Sequence, residues 1–176
     1  MGNHLAVVAR SGVFRGNEDS VGTLGTMNNE ATPSTSRNHS IKHVTHSHDI
    51  VIVRAIPGGD DVLVDVELCY DTSDPFAIKA CFLRDTPNQI TWLFSRELLT
   101  AGMAAPVGEG DVRISPSAHS PEMVQIDLNT PDGAAQFTAC AEDFTDFLDC
   151  SQAMVPSGHE DLWIDFDFEL HRHVFD

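Results

Sequence analysis

Apolar side chains recur at every second residue in one segment after another of this 176-residue chain, and that period confines most of it to β-strands. In "VLVDVEL", Val62, Val64, Val66 and Leu68 fall on one face and Leu63, Asp65 and Glu67 on the other, the pattern of a half-buried strand. Phe76, Ile78, Ala80 and Phe82 repeat it, as do Ile90, Trp92 and Phe94. Val112 and Ile114, then Val124, Ile126 and Leu128, continue it in segments closed by proline or glycine, and a further short strand follows at about 134–139. "DIVIVRAI" differs. Ile50, Ile52 and Ile56 alternate there with Val51, Val53 and Ala55, leaving Arg54 as the single charge after Asp49. A strand apolar on both faces is covered on both sides, inside the domain or by a neighbouring subunit, which makes Ile50, Ile52 and Ile56 candidate oligomer-interface residues.

The period changes in two places. "SRELLTAGM" reads as a short helix with Ser95 as its cap and Leu98 and Leu99 packing. In "AEDFTDFLDCSQAM", Ala141, Phe144, Phe147, Leu148 and Met154 fall at helical spacing while Glu142, Asp143, Asp146 and Asp149 fill the other side, so tertiary packing must hold an amphipathic helix whose polar face is wholly acidic. The end, "DLWIDFDFELHRHVF", fits either a two-residue period through Ile164, Phe166 and Phe168 or a short helix, which we favour. Strands, a helix, more strands and then helices, without βαβ alternation, predict an α+β fold with mostly antiparallel sheet.

The length suits one domain. Residues 1–40 scatter Gly, Asn, Ser and Thr without period and are expected to be a disordered extension ahead of a folded domain at 41–176. His39, His43, His46 and His48 have no interleaved Cys or carboxylate, so they read as a His-rich lead-in to the first strand rather than a metal site. Cys69, Cys81, Cys140 and Cys150 form no CxxC pair and are expected as free thiols in the cytoplasm. No segment approaches the ~18 apolar residues of a membrane span.

"YDTSDPFAIKACF" places two aspartates and a proline between two strands. The period on either side makes Asp71–Pro75 a connection, with Asp71 and Asp74 able to accept from backbone N–H groups and Pro75 holding Asp74 extended. It lacks the glycine and terminal glutamate of a calcium loop. No GxSxG, HExxH or glycine-rich phosphate loop occurs, and "GEGD" at 108–111 is followed by no lysine. Asp111 and Asp127 read as separate solvated acids, and His159, His171 and His173 as exposed histidines among acids. The residues therefore assign no catalytic, cofactor or metal site, and the expectation is a protein that is not an enzyme.

Five segments come in the order and at the spacing of one family: "YDTSDPFAI", "WLFSRELLTAG", "PVGEGDVRI", "LNTPDG" and "FLDCSQAMVPSGHE". Together they resemble the SsgA-like sporulation and cell-division proteins of filamentous actinobacteria, over roughly 49–176. Tyr70, Asp71, Asp74, Pro75, Trp92, Phe94, Arg96, Leu98, Leu99, Gly102, Gly110, Asp111 and Val112 match the family pattern, each with a structural reading as turn, core or cap. The resemblance implies a whirly-like fold of two antiparallel sheets packed crosswise, a homotrimer, no cofactor, and non-enzymatic regulation of developmental septation. It implies partners among cell-division proteins, such as the tubulin-like FtsZ or other SsgA-like proteins, and a place at the septum. The family begins close to its first strand, whereas about 40 residues precede it here, Met27 among them.

The whirly-like fold also raises a single-stranded nucleic-acid-binding alternative, which the charge opposes. The chain carries 27 acidic against 10 basic residues, and from Pro57 onward the count is 23 against five, a balance of −18. Such a surface repels phosphate backbones and anionic lipid. Electrophoretic mobility shift at ~150 mM salt is accordingly expected to show no retardation of single- or double-stranded DNA. Submicromolar, salt-sensitive retardation would restore the nucleic-acid reading.

Overall fold

The computed structural model describes residues 41–131 and 133–164. The expectations for 1–40 and for 165–176, with His39, His171 and His173, lie outside the described residues. Within them the predicted period-two segments form seven strands: β1 (Thr45–Ala55), β2 (Val62–Asp71), β3 (Ala77–Phe82), β4 (Ile90–Ser95), β5 (Val112–Pro116), β6 (Met123–Thr130) and β7 (Gly133–Cys140). Helix α1 (Arg96–Gly102) joins β4 to β5, helix α2 (Ala141–Met154) follows β7, and a 3-10 turn covers Glu160–Trp163. The fold is α+β and its sheet is antiparallel at every pairing.

The strands run β4-β3-β2-β1-β7-β6-β5 in a single sheet, where the resemblance implied two. Two blocks are nevertheless evident. β1 pairs with β2 from Thr45 to Arg54 but meets β7 only at Val53, Arg54 and Ala55. The extra length of β1 makes the bridge, because its last residues run into reach of Gln136–Thr138. Side chains from both blocks, with Leu98, Leu99, Phe144, Phe147 and Leu148 from the helices, share one core.

β1 begins earlier than its apolar run, and His46 and His48 belong to the strand rather than to a lead-in. Its two faces are not equivalent. Ile50 and Ile52 are 4% and 1% exposed within this chain, while Val51 on the other face is 50% exposed. The expectation that Ile50 and Ile52 meet a neighbouring subunit is therefore corrected: they fill the chain's own core, and Ile56 lies partly buried beyond the strand end. Val62 and Phe76 likewise depart from the predicted inward set, at 48% and 51% exposed, because each lies at or just outside a strand end.

Ser95 caps α1 as its hydroxyl suggests, accepting from the Leu98 N–H at 2.9 Å. The last residue of the helix, Gly102, is glycine for a steric reason. A Cβ there would stand 2.5 Å from Cβ and Cγ2 of the buried Ile114, so only glycine lets α1 lie against β5. At an unconstrained helical position Gly→Ala stabilises by ~1 kcal/mol. Gly102→Ala is expected instead to destabilise by about 1–3 kcal/mol, since the core must shift to admit the methyl. Urea unfolding checks the sign, and a gain in stability would refute the close approach.

Candidate functional site

Tyr70, the last residue but one of β2, is fully buried, and its hydroxyl donates to the Pro75 carbonyl at 3.0 Å, tying the strand to the far side of the turn that follows. Asp71 Oδ1 accepts from the Ser73 N–H at 2.8 Å and Oδ2 from the Thr45 hydroxyl at 3.0 Å. Burial works against ionising Asp71, but these bonds to Ser73 and Thr45, with nearby His43, hold its carboxyl below the usual range. Burial pushes the Asp74 carboxyl up, with the Phe76 N–H opposing and Asp71 reinforcing. Thr72, which the sequence did not single out, is fully buried; its Oγ1 accepts from the Val44 N–H and lies 3.3 Å from His43 Nδ1. The Asp71–Pro75 connection is thus a turn clamped by its own side chains.

Arg96 is the meeting point of the signature segments. It opens α1, yet its side chain is only 3% exposed and turns beneath the end of α2. Nη1 donates to the carbonyls of Ser151 at 3.2 Å and Val155 at 2.7 Å, Nη2 pairs with Glu160 Oε1, and the guanidinium carbon sits 5.1 Å from the centre of the Tyr70 ring. Its own N–H donates to the Phe76 carbonyl. α2 carries no basic residue in its last turn, so Arg96 supplies from another element the cation that satisfies the helix C-terminus. Burial opposes ionisation of Glu160, but its own backbone N–H, Arg96 and the Gly158 N–H outweigh it and hold the carboxyl below its ordinary value. Burial raises the Tyr70 phenol; Arg96 draws it down, and Glu160 and Asp74 push it up.

Trp92, Phe94 and Leu98 are core residues. Gly108 and Gly110 take positive φ, and at Gly108 a Cβ would meet the Val112 carbonyl at 2.3 Å. Asp111 acts through its backbone, whose carbonyl accepts from the Asn129 N–H at 2.7 Å and links the third signature segment to the fourth. Asp127 is engaged separately, accepting from Gln125 and Gln136, so the two acids are not a dyad. His46 stacks on Phe147 with centroids 5.6 Å apart, and His48 lies 6.5 Å from His46. Among the described residues no group of three or more His, Cys, Asp or Glu side chains is placed to hold a metal.

The family model described as Streptomyces sporulation and cell division protein, SsgA, matches residues 64–160, which contain all five structural ties just described around Tyr70, Arg96, Gly102, Gly108 and Asp111. The chain belongs to the SsgA family. It is 42% identical over 130 residues to the sporulation-specific cell division protein SsgB of Saccharopolyspora erythraea, covering 74% of this chain and 92% of that protein. It is 40% identical over 120 residues to SsgB of Thermobifida fusca, covering 68% and 87%. The crystal structure of an SsgA-like sporulation-specific cell division protein from Thermobifida fusca shares the fold with a TM-score of 0.68 at 36% identity, covering 77% of this chain and 99% of that one. A second solved structure, of the SsgB whose mutations correlate to longitudinal cell division during sporulation of Streptomyces coelicolor, gives 0.65 at 34% identity, over 70% and 98%.

In this SsgA-family chain the signature side chains are occupied in holding elements together, which leaves interaction chemistry to the surface. On the outer face of β1 and β2, Val51 and Leu63 are exposed, and Arg84 spans Asp49 at 3.2 Å, Glu67 at 2.7 Å and Asp85 at 3.5 Å. Burial does not hold that exposed cluster; attraction to Asp49, then Glu67, raises the Arg84 guanidinium further. A groove of about 760 Å³ whose lining includes Val51, Leu63, Glu67 and Arg84 adjoins one of about 770 Å³ lined in part by Trp92 and Leu128, and the two share Arg54, Phe82, Ile90 and Phe137. No described helix is long and apolar enough to cross a membrane.

Sequence reasoning gave Arg96 only a general reading as turn, core or cap, and it passed over Glu160, because the two are 64 residues apart and Glu160 is one acid among many. Removing one partner from a buried pair strands the other, so Arg96→Ala is expected to cost about 3–5 kcal/mol. Glu160 has a folded pKa below its unfolded one. Its contribution is therefore complete above the unfolded pKa and is lost as pH falls through the folded pKa. The stability difference between the wild type and Glu160→Gln should shrink as pH is lowered from neutrality through the carboxylate range, and chemical unfolding at a series of pH values reads it. A difference independent of pH would refute the ionic role.

Proposed function

We propose that this protein regulates sporulation-specific cell division without catalysis, acting through protein–protein contacts that bring FtsZ or the septal wall-synthesis machinery to future septa. The observation that carries the reading is the 42% identity to an SsgB across 92% of that protein's length. The site geometry supports it, since Tyr70, Asp71, Arg96 and Gly102 are each committed to a bond or a close contact inside the fold. The balance of −18 beyond Pro57 leaves a surface suited to partners that present basic or apolar patches.

Assembly belongs to the same proposal. With Ile50 and Ile52 inside the chain, the residues that suit contact with a second and third copy are Val51 and Leu63 on the outer face, Leu63 being 72% exposed. A trimer presents each weak contact three times and gains avidity on a filamentous partner.

Fluorescence imaging of the tagged protein in sporulating hyphae tests the reading. Co-localisation with FtsZ at sporulation septa is expected, and light scattering of the purified chain should give three times the mass of one copy. Leu63→Asp, at an exposed position, should leave the melting temperature within a few degrees and weaken both assembly and septal foci. Diffuse fluorescence throughout septation would refute the septal role, and a clean monomer at micromolar concentration the trimer.

A further inference from the structure

The two edges of the sheet are finished differently. β5 carries Arg113 and Pro116, and its Ile114 exchanges backbone bonds with Val107 at 2.9 and 3.0 Å, so that edge is covered. β4, at the other edge, has no charge and no proline. β7 is also uncharged, but it lies inside the sheet. The Arg96 N–H donates to the Phe76 carbonyl one pair beyond Ser95 and Ala77, so the even-numbered residues of β4 bond to β3. Thr91 and Leu93 therefore direct their N–H and C=O groups outward, and among the described residues no backbone group meets them.

The groove of about 770 Å³ borders this edge. Ile90, Thr91 and Trp92 line it from β4, and Asp111 and Thr130 line it from beside β5 and from the end of β6. Its lining also holds the largely buried Leu128 and Phe137, while Ile90 is 45% exposed. A segment that bonds to the outward groups of β4 has to be extended, and its alternate side chains then fall on the groove side. Charge sets the sign of that segment. This groove and the one adjoining it are lined by five acids against Arg54 and Arg84. A second copy brings a net charge of −17 to that rim and is repelled, whereas a basic segment is drawn to it.

We propose that an extended segment of a partner protein, apolar at every second residue and net positive, adds to β4 as a further strand, bonding to Thr91 and Leu93 and laying its apolar side chains in the groove beside Trp92. The inference rests on the reading of this chain as one that works through protein–protein contacts, and it assigns to such a contact a surface and a partner chemistry. Backbone pairing supplies the affinity, and the apolar groove with its acidic rim selects the segment. The surface is separate from Val51 and Leu63, so a trimer formed through those residues leaves each β4 edge available.

The purified full chain and a blocked peptide of ~9 residues, alternating valine and lysine, test this. By NMR the Thr91 and Leu93 amides should exchange at least ~10-fold more slowly with the peptide bound. By fluorescence anisotropy, an isomer with its valines in one block, and the alternating peptide with glutamate in place of lysine, should each bind at least ~10-fold more weakly. Thr91→Pro removes one outward N–H at an edge, where proline is tolerated, and should weaken binding several-fold; if that variant does not fold, the peptide series on the wild type still decides. Equal affinity for the two isomers, no binding of the alternating peptide, or protection that misses Thr91 and Leu93 would overturn the proposal. A mass by light scattering that falls in folded Thr91→Pro would give the edge to a second copy and overturn it as well. Binding is read on the purified chain and the septal role by imaging in hyphae, so the two readings fail separately.

Discussion

One guanidinium, buried where a charge is costly, organises the half of this molecule in which strands and helices meet. Arg96 is tolerated inside because its donors are taken up by the Ser151 and Val155 carbonyls and by Glu160, while the Tyr70 ring lies against it. Each partner belongs to a different stretch of chain. Tyr70 brings the end of β2 and, through Pro75, the turn after it; the carbonyls bring the end of α2; Glu160 brings the 3-10 turn. α2 has an acidic first turn and no basic residue in its last, so its C-terminal carbonyls depend on a cation from elsewhere. Take Arg96 away and four segments lose their common partner.

The other half is organised by close approach rather than by charge. Gly102 lets α1 touch Ile114, Gly108 lets the chain turn against the Val112 carbonyl, and the Asp111 carbonyl joins that turn to β6. Between the halves the sheet is continuous through only three residues of β1. The shared core, more than the backbone ladder, unites the two blocks.

Much of this was legible in the sequence because strand period is a local signal. All seven strands, the Ser95 cap and both helices follow from spacing within about ten residues of one another. What was not legible is what depends on distant partners. Ile50 and Ile52 looked like interface residues because Val51 and Val53 are apolar too, and an alternation of apolar with apolar does not say which face is inside. The single sheet escaped notice because pairing between residues 53–55 and 136–138 leaves no mark in either strand. The roles of Arg96 and Glu160 were hidden for the same reason: a basic residue after a serine cap, and an acid in an acidic chain, are ordinary until the fold brings them together.

The sequence distances in the Arg96 network bear on how the molecule reaches and leaves its native state. The guanidinium bonds to groups 55, 59 and 64 residues away, with β5, β6, β7 and α2 in the intervening chain, so closing those contacts carries a large loop-closure cost. Contacts of such sequence separation are expected to form after the folding transition state and to be present only in the product. They therefore act on the rate of opening far more than on the rate of closing. By this logic Arg96 is less a seed for the fold than a latch on it, setting how long the chain persists once assembled.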